Sequence, residues 1–393
     1  MIFSHILKQK KRKARADSIH RNEATVDTLH KNQVNDNTVH SKQVNAETHK
    51  NQVNADTIHK NKKEKLYKVL HTISLIIVFV GAYLLLDILW FGPSNSNDTI
   101  KEVQEIYASD DLEPKENITP SITKEIDVPP TSPVPLEKTP MDKFDDLLEL
   151  NSDVKGWIQI NGTNINYPVL QSSIEDPEYY LTRNIKKEED RFGSIFLDAN
   201  TNIETPTQSL LLHGHNMTRS GNMFHELMNY NDLDFLIENS VIQFDSLYEE
   251  GLWIIFSVFK TNGSSAKEKL FDYQRGDFKD SSSFLDFVYQ IKVRSIYDIP
   301  LDISEKDSIL LLSTCSYELS NYRTVIAARK LRPGESNDFS KESITKNKTP
   351  LYPDSWYQLY GGSPPAITNF EEARKNGEIS WYHDVIDVID TEK

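Results

Sequence analysis

The stretch Ser308-Ile-Leu-Leu-Leu-Ser-Thr-Cys315 is followed, after a short connection, by Tyr322-Arg-Thr-Val-Ile-Ala-Ala-Arg-Lys-Leu331. Both stretches are rich in large apolar or β-branched residues, and polar turn residues separate them. They therefore predict two strands that are joined as a β-hairpin. The first stretch is almost entirely apolar as far as Leu312, which indicates a strand that is buried on both faces. Cys315 would lie at the mouth of that strand rather than within it.

Six further runs upstream have the same short, β-rich character and are bounded by turn residues. They are residues 157–160, 165–169, 194–197, 209–212, 241–244 and 252–260. About eight strands in one domain predict a barrel or a sandwich. Apolar residues at helical spacing predict inserted helices at 224–230, 233–238 and 284–291, the last between the sixth and seventh strands.

Cys315 is the only cysteine of the chain, which excludes an internal disulfide and a multi-cysteine metal site. A free cysteine is often a small buried hydrophobe, but its place at a strand end favours access. A nucleophilic thiol would need a nearby base. The histidines after the first 90 residues are His213, His215, His225 and His383.

The segment His213-Gly214-His215 ends another apolar strand, so two strand ends could present a histidine and Cys315 at one rim of the barrel. Strand alternation puts both of these histidines on one face, and geometry alone does not choose between them. His225 opens an amphipathic helix and His383 lies in a tail, where we expect surface roles.

A cation beside the thiol could stabilise the oxyanion that forms when a thiolate attacks a carbonyl group. Arg323 begins the strand after Cys315, and hairpin pairing would place the two side by side. Arg329 is six residues further on, roughly 20 Å along the strand. Arg323 is therefore the predicted cation, and its alternative role is that of a solvated arginine at the end of a hairpin.

These residues resemble the sortases, the cysteine transpeptidases of Gram-positive bacteria, and class B in particular. Leu311-Leu-Ser-Thr-Cys315 is similar to the family's Thr-Leu-x-Thr-Cys and departs from it at Leu311. Gly214-His215-Asn216-Met217 resembles the family's Gly-His-Asn segment, which selects His215. The helix near Phe284 corresponds to the insertion that marks class B. The resemblance covers roughly residues 141–332.

The resemblance implies a mainly β fold, an eight-stranded sortase-like β-barrel with peripheral helices. It implies that the enzyme cleaves a C-terminal sorting signal after a threonine and forms a thioacyl enzyme at Cys315. His215 would act as acid and base, and Arg323 would bind the sorting motif and the oxyanion. The partners would be surface proteins and a cell-wall precursor amine, with no cofactor and no metal. The alternatives are a sortase-like binding or scaffold protein and a hydrolytic cysteine protease.

An apolar stretch from Val69 to Leu86 contains no Asp, Glu, Lys or Arg, and it resumes after Asp87 as far as Phe91. This is close to the roughly 20 residues that span a bilayer, so we predict a transmembrane signal anchor over residues 69–91. A buried core helix is the structural alternative. The positive-inside rule places the N-terminus in the cytoplasm and the C-terminal domain outside, because lysines precede the span and acids follow it. These residues are Lys62, Lys63, Lys65 and Lys68 before the span and Asp87, Asp98 and Glu102 after it or at its end.

The segments on either side of this span have distinct compositions. Residues 1–68 carry a charge of +8 and a repeated unit with one histidine, as in Asp17-Ser-Ile-His20. The units are too polar to bury a core and lack a second ligand at fixed spacing, so we predict a solvated tail attracted to anionic lipid rather than a metal site. Residues 92–140 are rich in proline and predict a semi-extended stalk. A helix that begins near Thr139 would open the catalytic domain at residues 141–332.

The part of the chain after the span carries a formal charge of −22, which argues against nucleic acid as its main partner. Residues 333–393 extend beyond the resemblance and contain two aromatic clusters, near Trp356 and Trp381. Clusters of aromatic side chains of this size usually pack against another protein surface. We expect the extension to pack on the back of the barrel, with occlusion of the substrate groove and partner binding as the alternatives.

Overall fold

The computed structural model describes residues 37–87, 92–110, 138–263, 271–336 and 341–383. The first histidine repeats, most of the predicted stalk and residues 384–393 lie outside the described residues. The chain divides into two compact units, Met1–Ala82 and Tyr83–Lys393.

The helices and strands are numbered here in chain order. The helices are α1 (Asn37–Leu86), α2 (Gly92–Asp110), α3 (Asp145–Leu150), α4 (Leu233–Glu238), α5 (Ser281–Lys292), α6 (Asp354–Tyr360) and α7 (Phe370–Lys375). The strands are β1 (Val154–Gln159), β2 (Asn166–Leu170), β3 (Ile195–Leu197), β4 (Ser209–His213), β5 (Asn216–Met217), β6 (Asn222–Met223), β7 (Val241–Ser246), β8 (Leu252–Asn262), β9 (Tyr297–Asp298), β10 (Ile309–Ser316), β11 (Tyr322–Lys330) and β12 (Thr345–Lys346).

Eight strands form one closed barrel in the order β1-β2-β3-β4-β10-β11-β8-β7, and β7 pairs with β1 to close it. The predicted eight-stranded barrel is confirmed, and the sandwich alternative is wrong. The sheet is mixed, because β2–β3 and β4–β10 are parallel while the other pairs are antiparallel. The neighbouring strands β4 and β10 carry continuous leucine runs, and Leu211, Leu212 and Leu311 are fully buried. Burial on both faces explains their continuous rather than alternating hydrophobicity.

All eight predicted runs overlap barrel strands. The remaining strands form two short pairs, β5–β6 and β9–β12, and were not predicted. Each of these strands has two residues, which is too short to show a period in the sequence.

The helices begin at clear local signals. Asp232 accepts hydrogen bonds from two backbone amides at the start of α4, and Asp280 with Ser283 forms a capping box at the start of α5. The predicted helix at 224–230 is a 3-10 helix at His225–Asn231. The predicted start at Thr139 is wrong, because a 3-10 turn at Asp142–Phe144 precedes α3 and no side chain caps it.

The predicted stalk requires a correction at its beginning. Residues 92–110 are the helix α2, which packs on the barrel instead of extending from it. Val103 is buried, and the ring of Tyr107 stacks on Trp157 with ring centroids 4.0 Å apart. Ile100, Val103 and Tyr107 recur at helical spacing and form an apolar stripe. The prediction of a stalk from proline content did not take this stripe into account.

The predicted span lies in a helix as far as Leu86. By length and composition, His59–Leu86 is apolar enough to cross a membrane, and none of its most apolar window is buried inside the protein. It is the one such helix among the described residues, and it is consistent with a membrane anchor or a signal sequence. The absence of burial argues against the core-helix alternative.

Candidate active site

The β10–β11 hairpin places Cys315 directly opposite Arg323. These two residues are register partners, and Ser313 is in turn the register partner of His213 on the parallel strand β4. Register partners share a face, as do residues two apart on one strand, so the backbone places all four residues on one face of the sheet. Cys315 is partly exposed and carries a free thiol. The predicted strand-mouth position of Cys315 is therefore observed.

The guanidinium group of Arg323 lies against a glycine. A Cβ atom built on Gly263 would be 3.1 Å from Cζ of Arg323, so the absence of a side chain there makes room for the arginine. Nη1 of Arg323 donates to the carbonyl oxygen of Tyr322 at 3.2 Å. Within the described residues Arg323 has no ion-pair partner, which leaves its other donors available to an anionic group.

Arg329, the alternative cation, has a different environment. It is fully buried, and its guanidinium donates two hydrogen bonds to the carboxylate of Glu335, at 2.7 and 2.5 Å. A cation paired in this way serves the core and is not available to a substrate.

The His213–Met217 segment is fastened to the end of β10 by hydrogen bonds on both sides of His215. The amide of Gly214 donates to the carbonyl of Ser313 at 3.2 Å, and Thr314 Oγ1 donates to the carbonyl of Gly214 at 2.8 Å. Nδ2 of Asn216 donates to the carbonyl of Cys315 itself at 2.8 Å. The backbone at His215 is therefore held at the level of Cys315, whereas His213 is at the level of Ser313.

His215 is oriented by a backbone carbonyl. Its Nε2 lies 2.8 Å from the carbonyl oxygen of Leu181, the last residue of the 3-10 turn Tyr179–Leu181. A carbonyl oxygen only accepts, so Nε2 carries the proton and Nδ1 is the nitrogen left to exchange protons with a substrate.

The turn that supplies this carbonyl depends on the glycine at position 193. Gly193 has φ of +59°, and a Cβ atom there would stand 2.4 Å from the carbonyl oxygen of Leu181 and 2.7 Å from that of Tyr180. Tyr180 is fully buried and donates from its hydroxyl to Asp153 at 2.6 Å. The oxygen that holds His215 is thus fixed between a buried tyrosine and a position that tolerates no side chain.

His213 has a carboxylate partner instead. Its Nε2 lies 2.8 Å from Oδ2 of Asp198, and its ring packs near Phe196. Burial alone would raise the pKa of Asp198, but the hydrogen bonds from His213 and Asn200 lower it below its usual value. His213 and Asp198 therefore form a second polar pair near Cys315. Strand alternation in the sequence did not distinguish His213 from His215.

Two tyrosines at the site escaped the sequence analysis. Tyr273 is buried with its hydroxyl 3.0 Å from Oγ of Ser313, and Tyr317 is exposed and donates to the carbonyl of Asn216 at 3.0 Å. Burial raises the pKa of both, and the charges at Cys315 and Arg323 act on them in opposite directions. Strand alternation from Cys315 could have found Tyr317. Tyr273 comes from a distant connection and left no local signal.

His225 also differs from its expected surface role, because its Nδ1 lies 2.6 Å from Oδ1 of Asn216. Asn216 therefore connects His225 with the backbone of Cys315. His383 is exposed, as expected. No cluster of three or more His, Cys, Asp or Glu side chains that could hold a metal is found in the described parts of the chain. A thiol, an imidazole and a guanidinium at one rim are suited to acyl transfer through a covalent intermediate.

Comparison with known proteins agrees with this chemistry. The sortase domain family matches residues 158–331. The chain is 37% identical over 177 residues to sortase B of Listeria monocytogenes, covering 45% of this chain and 68% of that protein. It is 30% identical over 192 residues to sortase B of Staphylococcus aureus, covering 48% of this chain and 75% of that protein. The structure of a Staphylococcus aureus sortase B–substrate complex has the same fold, with a TM-score of 0.50 and 24% identity over 62% of this chain and 99% of that chain.

We expect Gly193→Ala to slow alkylation of Cys315 by iodoacetamide at neutral pH by about three- to tenfold, as His215→Ala would. The added Cβ atom would displace the Leu181 carbonyl and with it the imidazole of His215, the nearby base that a nucleophilic thiol needs. Gly334→Ala is the matched control, since Gly334 has φ of +77° but nothing within 4 Å of its Cβ position. Equal labelling rates in Gly193→Ala and wild type would show that the carbonyl does not position His215.

Proposed function

This chain belongs to the sortase family of cysteine transpeptidases, in class B, and we propose that it cleaves a C-terminal sorting signal behind a threonine and transfers the acyl group to an amine. The proposed acyl donors are surface proteins that carry such a signal. The proposed acceptor is the amine of a cell-wall precursor or of another protein. We assign the catalytic domain to residues 141–332, which contain the matched family segment.

The observation that carries this proposal is the register pairing of Cys315 with Arg323 beside a histidine segment that is hydrogen-bonded to the carbonyl of Cys315. A nucleophile, a cation and an imidazole on neighbouring strand ends are the three groups that acyl transfer requires. The relatives named above are sortase B proteins, which supports the same chemistry.

In the first half-reaction, Nδ1 of His215 takes the proton of the Cys315 thiol, and the sulfur attacks the carbonyl carbon of the threonine in the sorting signal. Negative charge develops on the carbonyl oxygen, and the free donors of Arg323 stabilise it. The C–N bond then breaks, His215 protonates the departing amine, and a thioester remains on Cys315.

In the second half-reaction, the acceptor amine attacks the thioester carbonyl and loses a proton to His215. The C–S bond breaks, His215 passes this proton to the departing sulfur, and the products are a new amide and the free thiol of Cys315. The Leu181 carbonyl keeps the Nε2 proton of His215 in place, so Nδ1 is the proposed site of proton exchange in both halves.

Incubation of the purified chain with a sorting-signal peptide and an amine tests the proposal. A ligated product, together with mass-spectrometric detection of a thioester on Cys315, supports transpeptidation. A product that is only cleaved supports a hydrolytic protease, and an unreactive thiol in a folded protein supports a binding or scaffold role.

We expect Cys315→Ala to abolish transpeptidation and His215→Ala to lower it by at least about 10²-fold, whereas His213→Ala should keep substantial activity. The reason is that His215 lies in the segment bonded to Cys315, while His213 pairs with Asp198. Steady-state rates of product formation check this. An inactive His213→Ala beside an active His215→Ala would reverse the assignment and make His213 with Asp198 the catalytic pair.

Arg323→Lys should lose about 10- to 10²-fold in kcat/KM although it keeps the charge, because an ammonium lacks the planar donor fork of the guanidinium. Arg219→Lys is the control, since Arg219 is exposed on a loop. Turnover at the wild-type level in Arg323→Lys would remove Arg323 from the mechanism.

We also propose that the predicted span, residues 69–91, anchors the protein in the cell membrane, with the N-terminus in the cytoplasm and the barrel on the cell-wall side. Support comes from the apolar length of this segment and from the lysines that precede it and the acids that follow it. In this orientation the barrel would face the surface proteins that are proposed above as acyl donors.

Protease treatment of intact protoplasts should digest an epitope tag at the C-terminus and spare one at the N-terminus. Digestion of both tags after detergent lysis is the control. Protection of the C-terminal tag with loss of the N-terminal tag before lysis would invert the proposed orientation.

A further inference from the structure

Residues 341–383 of the C-terminal extension pack against the barrel domain. Strand β12 pairs with β9, and the amide of Leu351 donates to the carbonyl of Val293 at 2.9 Å. Further on, the amide of Phe370 donates to Asp286 of α5 at 2.9 Å. The extension therefore packs as the first of the three sequence interpretations expected.

One part of the extension reaches the β10–β11 hairpin that carries Cys315 and Arg323. The ring of Trp356 in α6 stacks on Tyr322 with centroids 6.5 Å apart and planes at 23°. The hydroxyl groups of Tyr322 and Ser355 are 2.7 Å apart. Tyr322 is buried and directly precedes Arg323 in the strand.

Tyr322 and Ser316 form the last register pair of the hairpin, one residue beyond Cys315 and Arg323. Because strand side chains alternate, this last pair lies on the opposite face from the thiol and the guanidinium. Trp356 and Ser355 therefore contact the face of the hairpin that is opposite to the thiol and the guanidinium.

A second contact holds the same hairpin end from within the domain. Glu318, in the turn after Cys315, accepts from Nζ of Lys260 at 2.7 Å, and the same Nζ donates to Thr324 at 2.8 Å. Lys260 belongs to β8, so the domain itself supports the turn from one side. Trp356 and Ser355 support its other strand.

We propose that the C-terminal extension is a positioning element of the active site, in which Trp356 and Ser355 hold Tyr322 and thereby place Arg323 against the reacting carbonyl group. Arg323 has no ion pair among the described residues, and its Nη1 donates to the carbonyl of Tyr322 itself. The placement of its guanidinium thus follows the backbone at 322–323 and the bare surface of Gly263. The inference rests on the proposed function, because turnover is one of its two readouts.

The matched pair of variants is Trp356→Ala and Trp381→Ala. Both tryptophans belong to the extension, but Trp381 packs on Phe370 and Lys292, away from the hairpin. In the full chain, Trp356→Ala should lower kcat/KM about tenfold, because small displacements of a catalytic group are costly. Trp381→Ala should stay within about twofold of wild type at a temperature where it is folded, since a structural loss alone does not move Arg323.

A double-mutant cycle separates positioning from general stability. If Trp356 acts through Arg323, Trp356→Ala should cost less than about twofold in an Arg323→Lys background, whereas independent effects would multiply. Trp356→Phe should recover most of the activity, since a phenylalanine ring can still pack on Tyr322.

Hydrogen exchange supplies a readout that needs no substrate. Amides at 316–323 should exchange about tenfold faster in Trp356→Ala than in wild type. Their exchange rates should be unchanged in Trp381→Ala, because only the first variant frees the hairpin end. Equal losses of activity in the two variants, full multiplicativity with Arg323→Lys, or unchanged exchange at 316–323 would each overturn the inference. Failure of the wild-type chain to ligate the peptide to the amine would refute the proposed function. The exchange data would still decide whether the extension holds the hairpin end.

Discussion

The register of the β10–β11 hairpin is the constraint on which the active site depends. Cys315 pairs with Arg323, and that pairing puts the thiol and the guanidinium side by side on one face. A slip of one residue would turn one of them to the opposite face, since side chains alternate along a strand. Parallel pairing with β4 then fixes the height at which the histidine segment meets Cys315. The chemistry therefore depends on backbone hydrogen bonds before it depends on any side-chain contact.

Backbone groups also orient His215, the proposed acid–base residue. The proton on Nε2 of His215 is directed by the carbonyl of Leu181, and that carbonyl has its place because Gly193 presents no side chain to it. The guanidinium of Arg323 likewise lies over Gly263. Glycine serves the site twice here by letting a polar group approach closely, which is a steric rather than a chemical contribution.

Segments that precede and follow the barrel domain in the sequence pack against it. Helix α2 covers Trp157 on one side, and the extension covers α5 and the back of the hairpin on another. Both segments pack aromatic rings against the domain, and Cys315 is partly exposed. The proposed role of the extension follows from this arrangement, since a contact behind a catalytic strand can adjust its placement without obstructing substrate.

Much of the architecture could be predicted from the sequence, because local residue patterns determine it. Strand-length apolar runs located all eight barrel strands, and the sites at Cys315 and Arg323 followed from strand ends and hairpin pairing. The separation of Arg323 from Arg329 also came from distance along a strand. The family resemblance added the selection of His215.

Other features were decided by tertiary structure, because they join residues that are distant in sequence. The Leu181 carbonyl and Tyr273 reach the site from separate connections, and no periodicity marks them. The partner of His213 is Asp198, which only the β3–β4 pairing brings near. Trp356 meets Tyr322 across 34 positions of chain. A sequence pattern records which face of its own element a residue occupies, whereas the fold decides which other element meets that face.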